Sequence, residues 1–353
     1  MSFLVLERLE KTWPDGTRAV KAIDLAIEPG EFVVLLGPSG CGKTTTLRMI
    51  AGLETPTAGR VLLAGDDVTR RTPAERDIGF VFQFYALYPH LSVAENVAFP
   101  LACAKVARAE RDAAVARVAE RIGITALLAK KPRQLSGGDQ QKVGLARALV
   151  RKPAVWLMDE PLGTLDSSER LAMCEFLREQ QLEQRVPTVY VTHDQEEAMR
   201  LADRVVVMAE GSVLQAAPPA VVYSDPATLF VARFVGSPGM NLVEGELVDG
   251  GGAFRTAGMA RPLPLAARAR SGPVVLGARP EFVRFDASSP LRGRVAVDAF
   301  HGPCRYAHVE GVFGRVAARR GAEERASLGD EVGLAFDPAG VRLFDPATGG
   351  RLA

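Results

Sequence analysis

The stretch Gly37-Pro38-Ser39-Gly40-Cys41-Gly42-Lys43-Thr44 sets three glycines, a lysine and a hydroxyl at the spacing G-x-x-x-x-G-K-[ST], a pattern with a phosphate-binding chemistry. Glycines at 37, 40 and 42 let the backbone turn successive N–H groups inward around phosphate oxygens. A helix starting at the end of the loop adds the partial positive charge of its N-terminus. Lys43 then reaches the β- and γ-phosphates of a nucleotide, and the Thr44 hydroxyl is a ligand for Mg2+. A chance match in a glycine-rich loop is the alternative, and the flanks argue against it. Phe32-Val33-Val34-Leu35-Leu36 is an unbroken apolar run that suits a buried parallel strand, and Thr45 to Ala51 reads as a helix.

Hydrolysis needs a base as well as a cradle. Ala154-Val155-Trp156-Leu157-Met158-Asp159-Glu160-Pro161 is an apolar strand ending in two carboxylates. Asp159 suits the Mg2+ side, through water or through Thr44, and Glu160 suits the general base that polarises the attacking water. Paired acids are commonly only solvated, but this strand brings them to a sheet edge, where α/β proteins bind ligands. The same edge receives Gln83, ending the run 78–83, and His193, ending the run 188–193. Gln83 reads either as a contact to Mg2+ or its water, or as a surface amide. Of His90, His193, His301 and His308, only His193 ends a core-type strand. Ser136-Gly137-Gly138 opens a helix, as an anion-binding N-terminus or a plain N-cap. Asp166 precedes a helix expected over 168–182 and reads as its N-cap. Trp13 sits in a polar loop, either packed back on a sheet or offering a flat face to a purine.

Strands expected over 3–9, 20–27 and 60–64 surround these groups, with turns at Pro14-Asp15-Gly16 and Gly65-Asp66. Residues 92–130 read as helices, with Val115, Val118 and Ile122 at helical spacing and a break at Gly123. A hairpin is expected from 205–208 and 212–215 around Glu210-Gly211. From Gly236 the composition shifts to breakers, Gly236-Ser237-Pro238-Gly239 and Asp249-Gly250-Gly251-Gly252. Short β segments follow at 273–277, 282–285, 293–297, 305–309, 331–336 and 341–344, as in a small barrel or sandwich. Gly277-Ala278-Arg279-Pro280-Glu281 is the distinctive piece there, a loop contact or a structural element. Two domains are therefore expected, 1–235 with a helical insertion at about 86–153, and 236–353.

The net charge of +1 offers no bulk attraction to nucleic acid or anionic lipid. No apolar run reaches the 18 residues of a membrane span, and Met1 to Arg8 turns charged too early for a signal peptide. Cys41, Cys103, Cys174 and Cys304 are scattered without C-x-x-C spacing, so neither zinc nor disulfides are indicated and a reducing cytoplasm fits.

Taken together, the residues resemble the ATPase subunit of an ABC transporter over nearly the whole chain. In the family's order stand the phosphate loop at 37–44, Gln83 as the Q-loop, Leu135-Ser136-Gly137-Gly138 as the signature, Asp159-Glu160 as Walker B and base, Asp166 in the D-loop and His193 as the switch histidine. The resemblance implies an α/β P-loop NTPase, a RecA-like core with an antiparallel β subdomain and a helical subdomain, followed by a small all-β OB-fold (TOBE) domain that regulates and helps dimerise. It implies that Trp13 stacks on adenine and that Pro38, Ser39, Cys41 and Thr45 line the phosphates with the rest of the loop. Thr44, Gln83 and Asp159 would surround Mg2+; Glu160, His193 and Gln83 would be catalytic. Ser136, Gly137 and Gly138 would contact the γ-phosphate of a second copy's ATP, and Asp166, in the D-loop, would also bind nucleotide.

Residues 82–93 and the tail pieces Phe234-Val235-Gly236-Ser237-Pro238, Met240-Asn241-Leu242, Arg279-Pro280-Glu281 and Leu343-Phe344-Asp345 are similar to importers of the maltose and glycerol-3-phosphate type. This implies ATP-powered uptake of a sugar, polyol or glycerol-phosphate, with polyamine and ferric-iron importers sharing much of the pattern. The implied partners are a second copy, transmembrane permease subunits received in a groove near Gln83 to Leu91, and indirectly a solute-binding protein, but no nucleic acid. The implied place is the cytoplasmic face of the inner membrane. A non-transport ABC ATPase would be marked by long coiled-coil insertions or tandem ATPase domains, and this sequence has neither. The chain departs from the family at Asp139, where glutamine is usual, and at Gly163-Thr164, where Ser-Ala or Ser-Asn is common.

Overall fold

The computed structural model describes residues 2–259, 261–265 and 270–352; Met1, Ala260, residues 266–269 and Ala353 of the two expected domains lie outside that description. The chain divides into two compact units between Pro219 and Ala220. The first runs β1 (Leu4–Thr12), β2 (Arg18–Ile27), β3 (Phe32–Leu36), α1 (Lys43–Ala51), β4 (Ala58–Leu63), β5 (Asp66–Asp67), β6 (Ile78–Val81), α2 (Val93–Cys103), α3 (Arg108–Ile122), α4 (Gly137–Leu149), β7 (Val155–Asp159), α5 (Ser167–Gln184), β8 (Thr188–Thr192), α6 (Gln195–Leu201), β9 (Arg204–Ala209) and β10 (Ser212–Ala217).

Six of these strands form one sheet in the order β10-β9-β3-β8-β7-β6. All are parallel except β10, which pairs antiparallel with β9 at the edge. β3, β7 and β8 are buried at every residue, which explains their continuous apolar sequence: a parallel strand covered on both faces has no polar side. A second, antiparallel sheet has the order β2-β1-β4-β5. Leu47, Met49 and Ile50 of α1 share one apolar cluster with Val33 and Leu35 of β3 and Leu4 and Leu6 of β1. The helix that starts in the phosphate loop is thus clamped between two sheets.

Register brings the chemistry to one edge. Leu36 pairs with Thr192, Asp159 with Val191, and Val81 with Met158. The residues after β3, β6, β7 and β8 therefore leave the sheet side by side. Helices α2 to α4 lie in the chain between β6 and β7, which are hydrogen-bonded neighbours. Ser92 and Glu95 form a capping box at the start of α2, and Gly123, at φ +75°, ends α3.

The second unit contains α7 (Pro219–Ser224), which begins at the break, α8 (Leu229–Phe234), β11 (Asn241–Val248), β12 (Ala253–Arg255), β13 (Leu263–Pro264), β14 (Gly272–Ala278), β15 (Val283–Phe285), β16 (Arg292–Phe300), β17 (Cys304–Gly311), β18 (Gly314–Gly321), β19 (Glu331–Phe336) and β20 (Val341–Phe344). Two antiparallel sheets, β13-β12-β11-β14-β20 and β15-β19-β16-β17-β18, share one core that includes Val243, Leu276, Val309, Val316 and Leu334. Strands β11, β12, β13 and β18 come in addition to the six segments read from the sequence.

Both short helices group with this unit, ahead of the break drawn at 235/236. Arg279 is what holds them. It is 1% exposed and donates to the carbonyls of Tyr223 (2.7 and 3.1 Å), Ala232 (3.3 Å) and Val235. These are C-terminal carbonyls of α7 and α8, which lack partners within their own helices. The Tyr223 ring lies 4.1 Å from the guanidinium, and its hydroxyl donates to Glu281 at 2.9 Å. Burial pulls the Arg279 pKa below its ordinary value. The Arg-Pro-Glu motif is structural here.

Candidate nucleotide site

The loop between β3 and α1 keeps its shape because two of its glycines admit no side chain. A Cβ on Gly37 would lie 2.2 Å from the Met208 carbonyl oxygen, and one on Gly42 would lie 2.4 Å from that of Ala19 while its φ is +101°. Lys43, 5% exposed, donates to the carbonyls of Gly37 (2.7 Å) and Pro38 (2.9 Å), so its ammonium sits within the loop's own concavity. Cys41 is buried, with its sulfur 3.8 Å from Lys43 Nζ. Thr45 is the third residue of α1, beside Thr46, whose hydroxyl donates to the Gly42 carbonyl at 2.9 Å.

Next to the loop, Thr44 Oγ1 donates to Asp159 Oδ1 at 2.8 Å. Burial pushes the Asp159 carboxyl above its usual range, and the Thr44 bond and Arg48 pull it back only in part. Such an acid is poised to gain a positive charge. Glu160 follows, and two side chains bracket its carboxylate. Gln83 Nε2 donates to Oε2 at 3.0 Å, and His193 Nδ1 lies 3.3 Å from Oε1. Glu160 is at φ +46°, a region that costs a non-glycine residue about 1–2 kcal/mol. Its N–H donates to the Val191 carbonyl at 3.0 Å, which helps hold it there. Lys43, Thr44, Gln83, Asp159, Glu160 and His193, read from four separate stretches, thus converge.

Three other expected residues stand apart. Ser136 is exposed and caps α4. Its hydroxyl accepts from Asp139 N–H at 3.1 Å and donates to Asp139 Oδ2 at 2.8 Å. Asp166 caps α5, accepting from Glu169 N–H and Ser168 Oγ, both at 2.8 Å. Trp13 lies half-buried in the β1–β2 hairpin, with the Lys11 ammonium 4.7 Å from its ring. The start of β2 runs past Gly42, so this hairpin belongs to the loop's neighbourhood.

The ABC transporter family matches residues 20–163, the MalK OB fold domain residues 236–283 and the TOBE domain residues 276–344. The sn-glycerol-3-phosphate import ATP-binding protein UgpC of Paraburkholderia xenovorans (strain LB400) is 43% identical over 364 residues, covering 99% of each chain. The chain belongs to the ABC transporter family. The trehalose import ATP-binding protein SugC of Mycobacterium tuberculosis (strain CDC 1551 / Oshkosh) is 41% identical across 100% of this ABC ATPase and 98% of SugC. Among solved structures, the ATP-binding cassette MJ0796, a dimer in a post-hydrolysis state bound to ADP and Pi, is 33% identical. It covers 61% of this chain and 98% of its own, with a TM-score of 0.57. The fold is thus a P-loop ATPase followed by an OB-fold and TOBE region, and the chain binds and hydrolyses ATP.

Two arginines of this ABC ATPase escaped the sequence reading. Arg147 on α4 donates to the carbonyls of Ala86 (2.8 Å) and Tyr85 (3.0 Å), pinning a segment where both residues have positive φ. Arg170 on α5 donates to the Leu165 carbonyl at 3.2 Å and to Asp194 Oδ2 at 3.0 Å, joining the loop before Asp166 to the residue after His193. Behind them Glu197, its pKa raised by burial, accepts from Tyr190 and Thr192 at 2.7 and 2.8 Å. Nothing in their spacing announces these roles, because the partners are backbone carbonyls and a carboxylate 24 or more residues away, the Leu165 carbonyl excepted.

Proposed function

We propose that this ABC ATPase powers uptake of a sugar, polyol or glycerol-phosphate, as a dimer whose two copies engage membrane permease subunits. The observation that carries the mechanism is the Glu160 carboxylate held between Gln83 and His193 beside the Lys43 loop. Loop N–H groups from Ser39 to Thr45 bind phosphate oxygens, Lys43 neutralises the β- and γ-phosphates, and Trp13 stacks on the adenine. Glu160 accepts a proton from the attacking water. Gln83 and His193 orient its carboxylate, and His193 contacts the γ-phosphate.

Asp159 and Thr44 offer two hard oxygens 2.8 Å apart, and Gln83 keeps its amide oxygen free of the bond its nitrogen makes to Glu160. That set fits Mg2+, which takes few protein ligands and fills its shell with phosphate and water. Bound there, Mg2+ would neutralise charge on the phosphates.

Ser136, Gly137, Gly138 and Asp166 stand outside this cluster, so they serve the nucleotide of the second copy. ATP closes the dimer and its hydrolysis reopens it. Among the described residues no helix is long and apolar enough to cross a membrane, so transport requires separate permease subunits at the cytoplasmic face. A groove of about 580 Å³ between α2 and α3, lined by Leu91, Ala98, Phe99 and Val115, suits a permease helix, and the 81%-exposed Phe84 offers a further apolar surface. The solute class rests on full-length similarity to UgpC and SugC; neither is named for a polyamine or ferric iron. Glu160→Gln tests the mechanism: ATP binding persists, turnover drops by at least 100-fold, and ATP traps the dimer. Unchanged turnover overturns it.

A further inference from the structure

Gln141 lies one turn into α4, is 3% exposed, and takes no part in the site as built so far. Its Oε1 accepts from Thr164 N–H at 3.0 Å and from Thr164 Oγ1 at 2.5 Å. Its Nε2 donates to the Glu160 carbonyl at 3.4 Å, an oxygen that the Gly163 N–H also reaches at 3.4 Å. One buried amide therefore holds the carbonyl of the strained Glu160, whose N–H is held by Val191, and fixes the loop that follows it. Strained backbone persists only where its surroundings over-determine it.

The helix that carries Gln141 is the one that begins with Ser136-Gly137-Gly138. Gly138 packs on the same loop: a Cβ there would lie 3.3 Å from Leu165 Cδ2 and 3.9 Å from the Thr164 carbonyl. Lys142, the next residue, donates to Glu169 at 2.6 Å on α5. Any displacement of the start of α4 must pass into residues 160–165, and Gln141 is the polar link. We propose that Gln141 is a positioning residue that ties the base of one nucleotide site to the Ser-Gly-Gly helix serving the other. The inference rests on the two-copy reading above. It also gives Thr164 a use: the hydroxyl at this position is a second donor to the Gln141 carbonyl.

The test uses the full chain. Gln141→Met keeps the volume and removes both polar functions; Gln141→Glu keeps acceptors for Thr164 but loses the donor to Glu160. Both are expected to lower kcat at least 10-fold while the ATP dissociation constant stays within about 3-fold. Thr164→Ala, a milder lesion, is expected to lower kcat about 2- to 3-fold and keeps the idea testable should Gln141→Met fold poorly. Because Gln141 acts through Glu160, adding Gln141→Met to Glu160→Gln should leave the residual turnover within about 2-fold. In mixed dimers with Glu160 in only one copy, the loss should follow Gln141→Met when it sits in that copy. Unchanged kcat in the folded single variants, full additivity with Glu160→Gln, or a loss that follows the other copy each overturns the proposal. A wild-type dimer with no ATP turnover would instead sink the mechanism on which it rests.

Discussion

Asp139 offers the sharpest perturbation. Its carboxylate accepts the Ser136 hydroxyl at 2.8 Å, so the proton that Ser136 would give to a phosphate of the second copy's ATP is already engaged. A hydrogen bond to a charged group is worth about 1.5–3 kcal/mol and a neutral one about 0.5–1.5. Asp139→Asn should therefore lower the cost of freeing the hydroxyl by about 1 kcal/mol, roughly fivefold in affinity per site. With two sites per dimer, ATP-driven association should tighten by about 25-fold. Loss of a negative charge beside phosphate acts in the same direction, and that part should shrink in high salt. The opposing effect is small: an acid in the first turn of α4 stabilises the helix by about 0.3–1 kcal/mol, which lowers stability rather than affinity. The assay is sedimentation of the Glu160→Gln chain with and without Asp139→Asn across an ATP titration. Association that is unchanged or weaker in the double variant would refute the reasoning.

Arg279→Met should destabilise the second unit by about 2–6 kcal/mol, because the carbonyls of Tyr223 and Val235 lose their side-chain donor at about 1–3 kcal/mol each, while that of Ala232 keeps the Met240 N–H. Urea unfolding reads this directly, and a loss below about 1 kcal/mol would contradict it. Asp203 gives a pH signature. Burial pushes its carboxyl up, but Arg178 and the Phe32 N–H more than offset this, and its pKa lies below the usual value. Stability from this group is present above the unfolded value of about 3.9 and is lost as pH falls through the lower folded value. Asp203→Asn should thus cost about 1 kcal/mol at pH 7, a modest figure because the pair is partly exposed, and the gap to wild type should close in acid. A gap independent of pH would refute it.

The strands that carry the nucleotide site were legible because fully buried parallel strands must be apolar throughout; Phe32 to Leu36 and Val155 to Met158 announce themselves. β18 did not, since Arg315, Arg319 and Arg320 make the segment strongly charged and only the short run Val316, Ala317 and Ala318 is buried; full-length pairing with β17 makes it a strand. Gln141 left a faint signal. It stands at helical spacing with the buried Leu145 and Ala148, and a polar residue on an apolar stripe needs a partner. Arg279 was noticed as a motif, but capping carbonyls that lie 44 to 56 residues earlier is a tertiary fact.

The insertion of α2 to α4 between two hydrogen-bonded strands has a consequence for how such proteins diversify. A segment that departs from one strand and returns to its immediate neighbour enters and leaves the sheet at one place, so its outer part can be exchanged without rewiring the sheet. The seam of such an exchange lies within the insertion. α2 and α3 flank the groove proposed for a membrane partner and can change with it, while α4, bonded through Gln141 to the Glu160 carbonyl, must stay. A chimaera that grafts residues 92–130 from a relative should redirect the choice of permease and leave the ATPase intact; one that extends the graft to 149 should not.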